Sequence, residues 1–204
     1  MRKCVLTLFT LLSFIDSFAQ DAPPRKYAIK SKHANGCPRA YLGIGTGINN
    51  SIGILGLACD IRVAPFVSIE EGLGISTWGP KFSIAGKYYL KPCNNGWAFG
   101  AGMSHNLGIK HFHNTMETIY SRSENVILTL HPVTNLFLAA YNYVRLGNGN
   151  SRFYTTFGYS VPLGAKSFEQ VRGHPITRHS ERVMKFLTPG GIVFGMGFSF
   201  ALGS

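Results

Sequence analysis

Beyond residue 20, this 204-residue sequence lacks any apolar run of the roughly 20 residues that cross a bilayer as a helix, which excludes a transmembrane helix from that part of the chain. From Ala40 onward it also lacks helical periodicity, so we expect strands separated by turn signals. Charged residues are scarce at 14%, whereas there are 24 glycines, and mean hydropathy is close to zero at +0.09. This composition is typical of strands in which half of the residues are polar or small.

The first 19 residues have the layout of a signal peptide. Two basic residues precede an apolar run over residues 5–15, and Ser17-Phe18-Ala19 supplies the small-x-small pattern of a cleavage site. The apolar run is too short to anchor the chain in a bilayer. We therefore expect an exported protein, with residues 1–19 as the signal peptide and residues 20–39 as a basic, flexible lead-in.

Large and small residues alternate along the last predicted strand, and a similar alternation recurs in the earlier ones. Because side chains of a strand point to opposite faces with period two, Phe194 and its even-numbered neighbours share one face, and Gly195 and its odd-numbered neighbours share the other. Glu71 falls on an apolar face, which indicates a bulge or a shifted register. The predicted strands cover residues 40–49, 53–63, 66–76, 81–91, 97–108, 124–146, 152–163 and 193–202.

A sheet with one bulky apolar face and one nearly bare face suits a small barrel with an apolar outer surface. Such a surface is unstable in water and is what a bilayer requires. Residues 40–204 are therefore predicted to form an all-β, eight-stranded antiparallel up-and-down transmembrane β-barrel. The alternative is a soluble exported sandwich or barrel whose aromatic faces meet one another.

The predicted connections at one end of the barrel are all short, and both long connections fall at the other end, provided that residues 124–146 count as one strand. The short ones are residues 64–65, 92–96 and 147–151, and the long ones are residues 109–123 and 164–190. Bacterial barrels have an even number of strands, short periplasmic turns and long outer loops. A split at His131-Pro132 would give nine strands, so we favour one long strand there.

The chain resembles the outer-membrane β-barrel domain proteins of Gram-negative bacteria. The resemblance lies in the signal that ends in Phe18-Ala19-Gln20, the glycine-rich alternating strands, the aromatic final strand, and Gly158–Leu163 before a long loop. It implies an eight-stranded barrel in the outer membrane, with the barrel-insertion machinery as an assembly partner, and no particular activity. We expect a monomer.

Four charged residues, Asp60, Arg62, Glu70 and Lys87, fall on the inner face of the second to fourth predicted strands. The interior of a small barrel is just wide enough for its side chains, and buried charges have to be paired. We therefore expect an interior ion-pair network that fixes the register. The alternative is a gated pore, in which the pairs open to form a narrow channel for ions or small solutes.

Cysteine is scarce, and Cys4 lies in the predicted signal peptide. Three cysteines remain, and an odd number in an oxidising compartment indicates one disulfide and one free thiol. Cys37 precedes the first strand and Cys93 lies in a short turn, so both are expected at the periplasmic end, where they are predicted to pair. Cys59 falls on the outer face and is expected to stay free.

Histidines suggest a metal or catalytic site only weakly. His105, His111 and His113 lie close together, but Glu117 is the one carboxylate near them, so we expect loop histidines without a metal. Barrel lipases and lipid A deacylases use Ser, His and an acidic partner. The Ser-His neighbours at residues 104–105 and 179–180 would face opposite ways in a strand, so we predict no catalytic residues and no cofactor, and keep a lipid-modifying enzyme as an alternative.

Acidic residues are few, 9 against 20 Lys and Arg, which gives a net charge of +11. Export argues against nucleic acid as the partner, and anionic lipid headgroups or lipopolysaccharide phosphates fit better. Candidate phosphate contacts in the last loop are Lys166, Arg172, Arg178, Arg182 and Lys185. The alternative is a solvated surface loop.

Taken together, these patterns predict an outer-membrane protein with a structural or surface-binding role that is carried by its long outer loops. A narrow channel and a lipid-modifying enzyme remain alternatives. An interface belt of aromatic side chains is expected at Trp78, Tyr88, Trp97 and Tyr141.

Overall fold

The computed structural model describes residues 38–91, 96–147, 151–164 and 167–202. These residues form mostly β-structure and include one helix. The strands are β1 (Ala40–Ile48), β2 (Leu55–Ala64), β3 (Val67–Ser76), β4 (Gly79–Tyr89), β5 (Gly96–Asn106), β6 (Ile109–Met116), β7 (Glu124–Leu130), β8 (Val133–Leu146), β9 (Ser151–Leu163), β10 (Phe168–Arg172) and β11 (Gly191–Leu202), and the helix is α1 (Arg178–Leu187).

Eight of these strands close into an antiparallel barrel in which each barrel strand pairs with the next along the chain. The order around the barrel is β1-β2-β3-β4-β5-β8-β9-β11, and β11 pairs with β1 to close it. The closing pair runs in unbroken register from Ala40 opposite Leu202 to Ile48 opposite Phe194. The predicted eight-stranded antiparallel barrel is confirmed.

The prediction of one long strand over residues 124–146 is wrong, although the number of barrel strands is right. The chain breaks between Leu130 and Val133, so β7 and β8 are separate strands. Pro132 has no N–H to donate to a ladder, which favours the break at this point. The break does not add a ninth strand to the barrel, because β7 pairs with β6 and β10 in a separate sheet.

A small cap lies at the end where the long connections were expected, and it consists of β6, β7, β10 and α1 with their connecting residues. Its three strands form a sheet in the order β10-β7-β6. Thr177 is the N-cap residue of helix α1. Its hydroxyl accepts a hydrogen bond from Ser180 N, which satisfies one of the free N–H groups of the first turn. The long connections predicted over residues 109–123 and 164–190 therefore contain regular secondary structure. The prediction that residues 40–204 are all-β is wrong in one respect, because α1 is a helix.

The cap has its own apolar core. Leu128 and Val126 of β7 are buried against Met184 of α1 and Trp78 of the β3–β4 connection. Trp78 Nε1 donates a hydrogen bond to the carbonyl of His131 at 3.0 Å. Trp78 therefore joins the cap to the barrel mouth, and its predicted place in an outer aromatic belt is wrong.

The barrel wall alternates as its sequence predicts, with large apolar side chains outward and small or polar ones inward. Outward positions such as Leu138 and Phe157 are 66% and 65% exposed. We call this outward surface the apolar belt. Its members include Leu42, Ile44, Leu57, Ile61, Ile69, Leu73, Phe82, Ile84, Phe99, Met103, Leu136, Leu138, Phe157, Tyr159, Phe194 and Phe198.

Glu71 lies within this belt. It stands opposite Cys59 of β2 and Ile84 of β4, and the register is unbroken around it, since the one shift between β2 and β3 lies at the end of the ladder, between Arg62 and Ala64. Both explanations that the sequence suggested, a bulge and a shifted register, are therefore wrong. Glu71 therefore places a carboxylate on the outward face of β3.

Candidate functional site

An ionic network fills the half of the barrel interior that lies nearer the short connections. It consists of Asp60, Glu70, Lys87 and Arg152, all of them buried. The Lys87 ammonium is paired with Glu70 Oε2 and lies 3.9 Å from Asp60 Oδ2. Arg152 Nη2 donates to Asp60 Oδ2 at 2.6 Å from the opposite side of the interior. Two anions and two cations thus neutralise one another across the barrel.

Tyrosines surround the network and add hydrogen bonds to it, although Asp60 Oδ1 and Glu70 Oε1 have no hydrogen-bond partner among the described residues. Tyr89 donates its phenolic proton to Asp60 Oδ2 at 2.6 Å, and Lys87 Nζ donates to Tyr143 OH at 2.7 Å. The guanidinium carbon of Arg152 lies 3.7 Å from the ring centroid of Tyr41 and 4.1 Å from that of Tyr143. Cations over aromatic faces gain electrostatic stabilisation, so these rings hold the network as well as filling space.

The structure brings three of the four interior residues that the sequence suggested into this network, and adds one that sequence reasoning missed. Arg62 faces the interior one inward position beyond Asp60, nearer the short connections, and is only partly buried. Arg152 takes a place in the network from β9. Its inward direction follows from the alternation with Phe153, but its partner on β2 becomes apparent only when the barrel closes.

The β1–β2 connection folds back into the other half of the interior. Asn50, Ser51 and Ile52, which we call the plug, are all buried although they connect two strands. Lys81 Nζ donates to the Asn50 carbonyl at 2.6 Å, and Ser83 Oγ donates to the Ser51 carbonyl at 2.7 Å. Side chains of β4 thus fasten the plug to the wall.

Inward-facing glycines make room for the plug. A Cβ at Gly45 would lie 2.8 Å from Cδ1 of Ile52, and a Cβ at Gly47 would lie 2.5 Å from Nδ2 of Asn50. Real Cβ atoms do not approach other atoms this closely, so any larger residue at these positions would displace the plug. The bare inner face of the sequence is therefore a binding surface for the chain's own turn.

The basic residues of the last loop lie on the cap. Arg178, Arg182 and Lys185 are spaced at i, i+4 and i+7 on α1, which places them on one face, opposite the buried Ser180 and Met184. Within the described residues, the side chains of Arg178 and Arg182 form no hydrogen bond or salt bridge, whereas Lys185 Nζ pairs with Glu181 Oε1 at 2.8 Å. The hydrogen bond from Lys185 lowers the pKa of the Glu181 carboxyl.

One aromatic side chain accompanies these cations. Phe186 follows Lys185 and is 88% exposed. The last turn of the helix lies at the barrel mouth, because Thr77 Oγ1 donates to the Leu187 carbonyl at 3.4 Å. Arg172 is exposed at the end of β10, apart from this helical face, and Lys166 lies outside the described residues.

The remaining predicted positions are spread over the molecule. Tyr141 is buried inside the barrel, so its predicted place in an outer aromatic belt is wrong, whereas Tyr88 and Trp97 are exposed on the outward face. Cys59 is outward and free. The predicted pair of Cys37 and Cys93 lies outside the described residues.

The Ser-His neighbours do not form a catalytic pair in the described geometry. Ser104 is buried on the inner side of β5, whereas His105 Nδ1 lies 2.8 Å from Thr134 Oγ1 of the neighbouring strand. His179 and Ser180 lie on α1 and not in the extended segment that was assumed, and Ser180 Oγ donates to the Glu117 carbonyl at 3.0 Å. No three His, Cys, Asp or Glu side chains of the described residues are grouped so that they could hold a metal ion.

Comparisons with protein-family models, with curated proteins and with solved structures found no match for this chain. None of the described helical residues belongs to a helix long and apolar enough to cross a bilayer.

Proposed function

We propose that this chain is a small outer-membrane β-barrel protein of a Gram-negative bacterium, with a structural or surface-binding role and no enzymatic activity. The apolar belt is the observation that carries the proposal. Soluble monomers rarely expose contiguous apolar patches of more than a few hundred Å². Here all eight barrel strands expose large apolar side chains, and Glu71 is the one charged residue on the outward face of the described barrel strands.

The filled interior supports a structural role over a channel. The ionic network with its tyrosines occupies one half, and the plug occupies the other. Solute passage would require both layers to move, at the cost of separating buried charges. The cap lies at the end with the long connections, which is the extracellular end in bacterial barrels, so the cap is the part that meets other molecules.

Reconstitution tests the membrane assignment. The purified protein should require detergent for solubility, should migrate differently on gels before and after heating, and should float with liposomes after refolding in their presence. Protein that remains soluble and monomeric without detergent would refute the assignment. Lipid A analysis of cells with and without the protein should show no difference, and any change would favour the lipid-modifying enzyme instead.

For the binding partner, the helical face formed by Arg178, Arg182 and Lys185 favours phosphates of the outer leaflet. Guanidinium groups bind phosphate through paired N–H donors, and Phe186 adds an apolar contact beside them. The last turn of α1 lies at the barrel mouth, where lipid headgroups would surround the rim. Lipopolysaccharide, which joins phosphates to acyl chains, fits both features.

Replacement of the three helical cations tests this partner. Each basic residue near an anionic lipid surface contributes about 1 kcal/mol, so Arg178→Gln, Arg182→Gln and Lys185→Gln together should weaken lipopolysaccharide binding about 100-fold. Binding is measured by titration calorimetry on protein held in detergent, with dephosphorylated lipopolysaccharide as a second ligand. The matched control replaces two cap cations off the helix, Lys110→Gln and Arg122→Gln, and is compared with Arg178→Gln combined with Arg182→Gln, which removes the same charge. Equal weakening in the control would show that net charge alone matters and would refute the helical site.

A further inference from the structure

Lys81 is a buried cation that the ionic network does not use. It faces inward from β4 in the half of the barrel nearer the cap and is 3% exposed. Its ammonium donates one hydrogen bond, to the carbonyl of Asn50 at 2.6 Å. Within the described residues it forms no salt bridge, and the two inward carboxylates, Asp60 and Glu70, are engaged by Arg152 and Lys87.

This environment leaves the charge of Lys81 uncompensated. An ammonium has three donors, and a single neutral carbonyl satisfies one of them. Transfer of an unpaired charge from water into a protein interior carries a large penalty that only a counter-charge with good geometry offsets. The network offsets that penalty for Lys87, but no carboxylate does so for Lys81.

Lys81 also lines a small cavity at the barrel mouth. The cavity has a volume of about 30 Å³, and its wall includes Asn49, Ser76, Thr77 and Asn106. Among the described residues, no acidic side chain lines it. A cavity needs at least roughly 10–15 Å³ by this kind of measure to hold one water, so there is room for a monatomic ion but not for a phosphate ester.

We propose that this cavity binds a small monovalent inorganic anion of halide size, which pairs with the Lys81 ammonium. The Ser76 hydroxyl lines the same space, where it donates to Asn106 Oδ1 at 2.8 Å, and it can turn this proton toward the anion instead. Because Lys81 also holds the Asn50 carbonyl, a bound anion fastens the plug to the wall. The site therefore makes the stability of the closed barrel depend on chloride.

The test compares salts at equal ionic strength on the full chain in detergent. Sodium chloride and sodium bromide should raise the unfolding temperature relative to sodium gluconate, whose anion is too large for the cavity. Lys81→Met should abolish this difference and weaken anion binding at least roughly tenfold, because it removes a charged hydrogen-bond donor. Lys110→Met removes an exposed cation of the cap and should keep the full chloride effect.

A crystal grown in sodium bromide gives an independent readout that needs no variant. An anomalous bromide peak beside Lys81 Nζ supports the site even if the Lys81→Met protein fails to fold. Absence of that peak, or equal unfolding temperatures of the wild-type protein in chloride and gluconate, overturns the proposal and leaves Lys81 as a neutral amine. Retention of the chloride effect in Lys81→Met would also overturn it.

Discussion

The barrel and the cap are both built largely from antiparallel strands, yet most large apolar side chains point outward in the barrel and inward in the cap core. The barrel turns residues such as Leu138 outward and encloses Asp60 and Lys87, whereas the cap encloses Leu128 and exposes Arg182. Apolar side chains avoid water but not lipid, so each arrangement is the stable one for a different solvent. Under the outer-membrane location proposed above, the boundary between lipid and water lies at the barrel mouth.

The largest effect is expected from breaking the ionic network. Arg152→Met leaves Asp60 buried without its guanidinium partner and should lower the free energy of unfolding by about 3–5 kcal/mol. Asp60→Leu combined with Arg152→Met removes the pair together and should restore most of the loss, while Glu70 and Lys87 remain paired. Urea unfolding in lipid measures both variants. If the double variant were no more stable than Arg152→Met, the attraction between Asp60 and Arg152 would exceed the free-energy cost of burying their charges.

The cap core should fail separately from the barrel. Leu128→Ala truncates a fully buried side chain of the cap core and should destabilise the cap by about 2–5 kcal/mol. Amide hydrogen exchange should rise in β6, β7 and α1 while the barrel keeps its heat-dependent gel mobility. If exchange rose equally in the barrel strands, the cap and the barrel would unfold as one cooperative unit, which would contradict this prediction.

A charge in the apolar belt distinguishes the two solvents directly. Leu138→Arg should cost about 2–4 kcal/mol if the position faces the middle of a bilayer, and almost nothing if it faces water. The folded fraction after refolding into liposomes measures the effect. Phe186→Arg on the exposed cap helix is the matched control and should leave folding unchanged.

The reverse change at Glu71 should have a smaller effect of opposite sign. Glu71→Leu completes the belt and should stabilise the inserted barrel by up to about 1 kcal/mol, since acidic residues cost less than Arg or Lys on a lipid face. The same liposome assay applies. Loss of stability would indicate that this carboxylate has a partner outside the chain.

The smallest effect concerns the tip of the cap. Glu124 accepts from the Thr118 hydroxyl at 2.8 Å and from the amide of His174, and these hydrogen bonds lower the pKa of its carboxyl. A lowered pKa adds stability above the ordinary Glu range, and that stability is lost as pH falls through the folded value. Hydrogen exchange around Thr118 and His174, corrected for intrinsic rates, should therefore rise at low pH. Glu124→Gln should flatten this dependence, and an unchanged profile in that variant would contradict the assignment.

Sequence periodicity predicted the barrel strands well and the cap poorly, for a physical reason. Barrel strands alternate large and small residues with period two, so the pattern that begins with Phe194 and Gly195 predicts which side chains of β11 point outward. Helix α1 spans only ten residues, so its apolar face of Val183, Met184 and Leu187 covers little more than one turn and is a weak signal in the sequence. Strand β6 is interrupted by a register shift between Ile109 and Phe112, which breaks its alternation.

The interior shows the same division between local and distant information. Alternation alone puts Asp60, Glu70 and Lys87 on one inner face, because they lie on consecutive strands. It gives no sign that Arg152 reaches Asp60, since β9 and β2 are not neighbours in the barrel wall. Residues 50–52, between the first two predicted strands, read simply as a turn, and nothing local indicates that Ile52 enters the barrel.

By itself, the sequence determined the alternating strands, the apolar outward face and the small inward face of this protein, because each depends only on the period of a strand. Tertiary structure alone decided that β7 leaves for the cap, that Arg152 joins the ionic network and that the plug occupies the space left by Gly45 and Gly47. These outcomes depend on which distant segments meet when the barrel closes. Closure brings together residues that no local pattern relates.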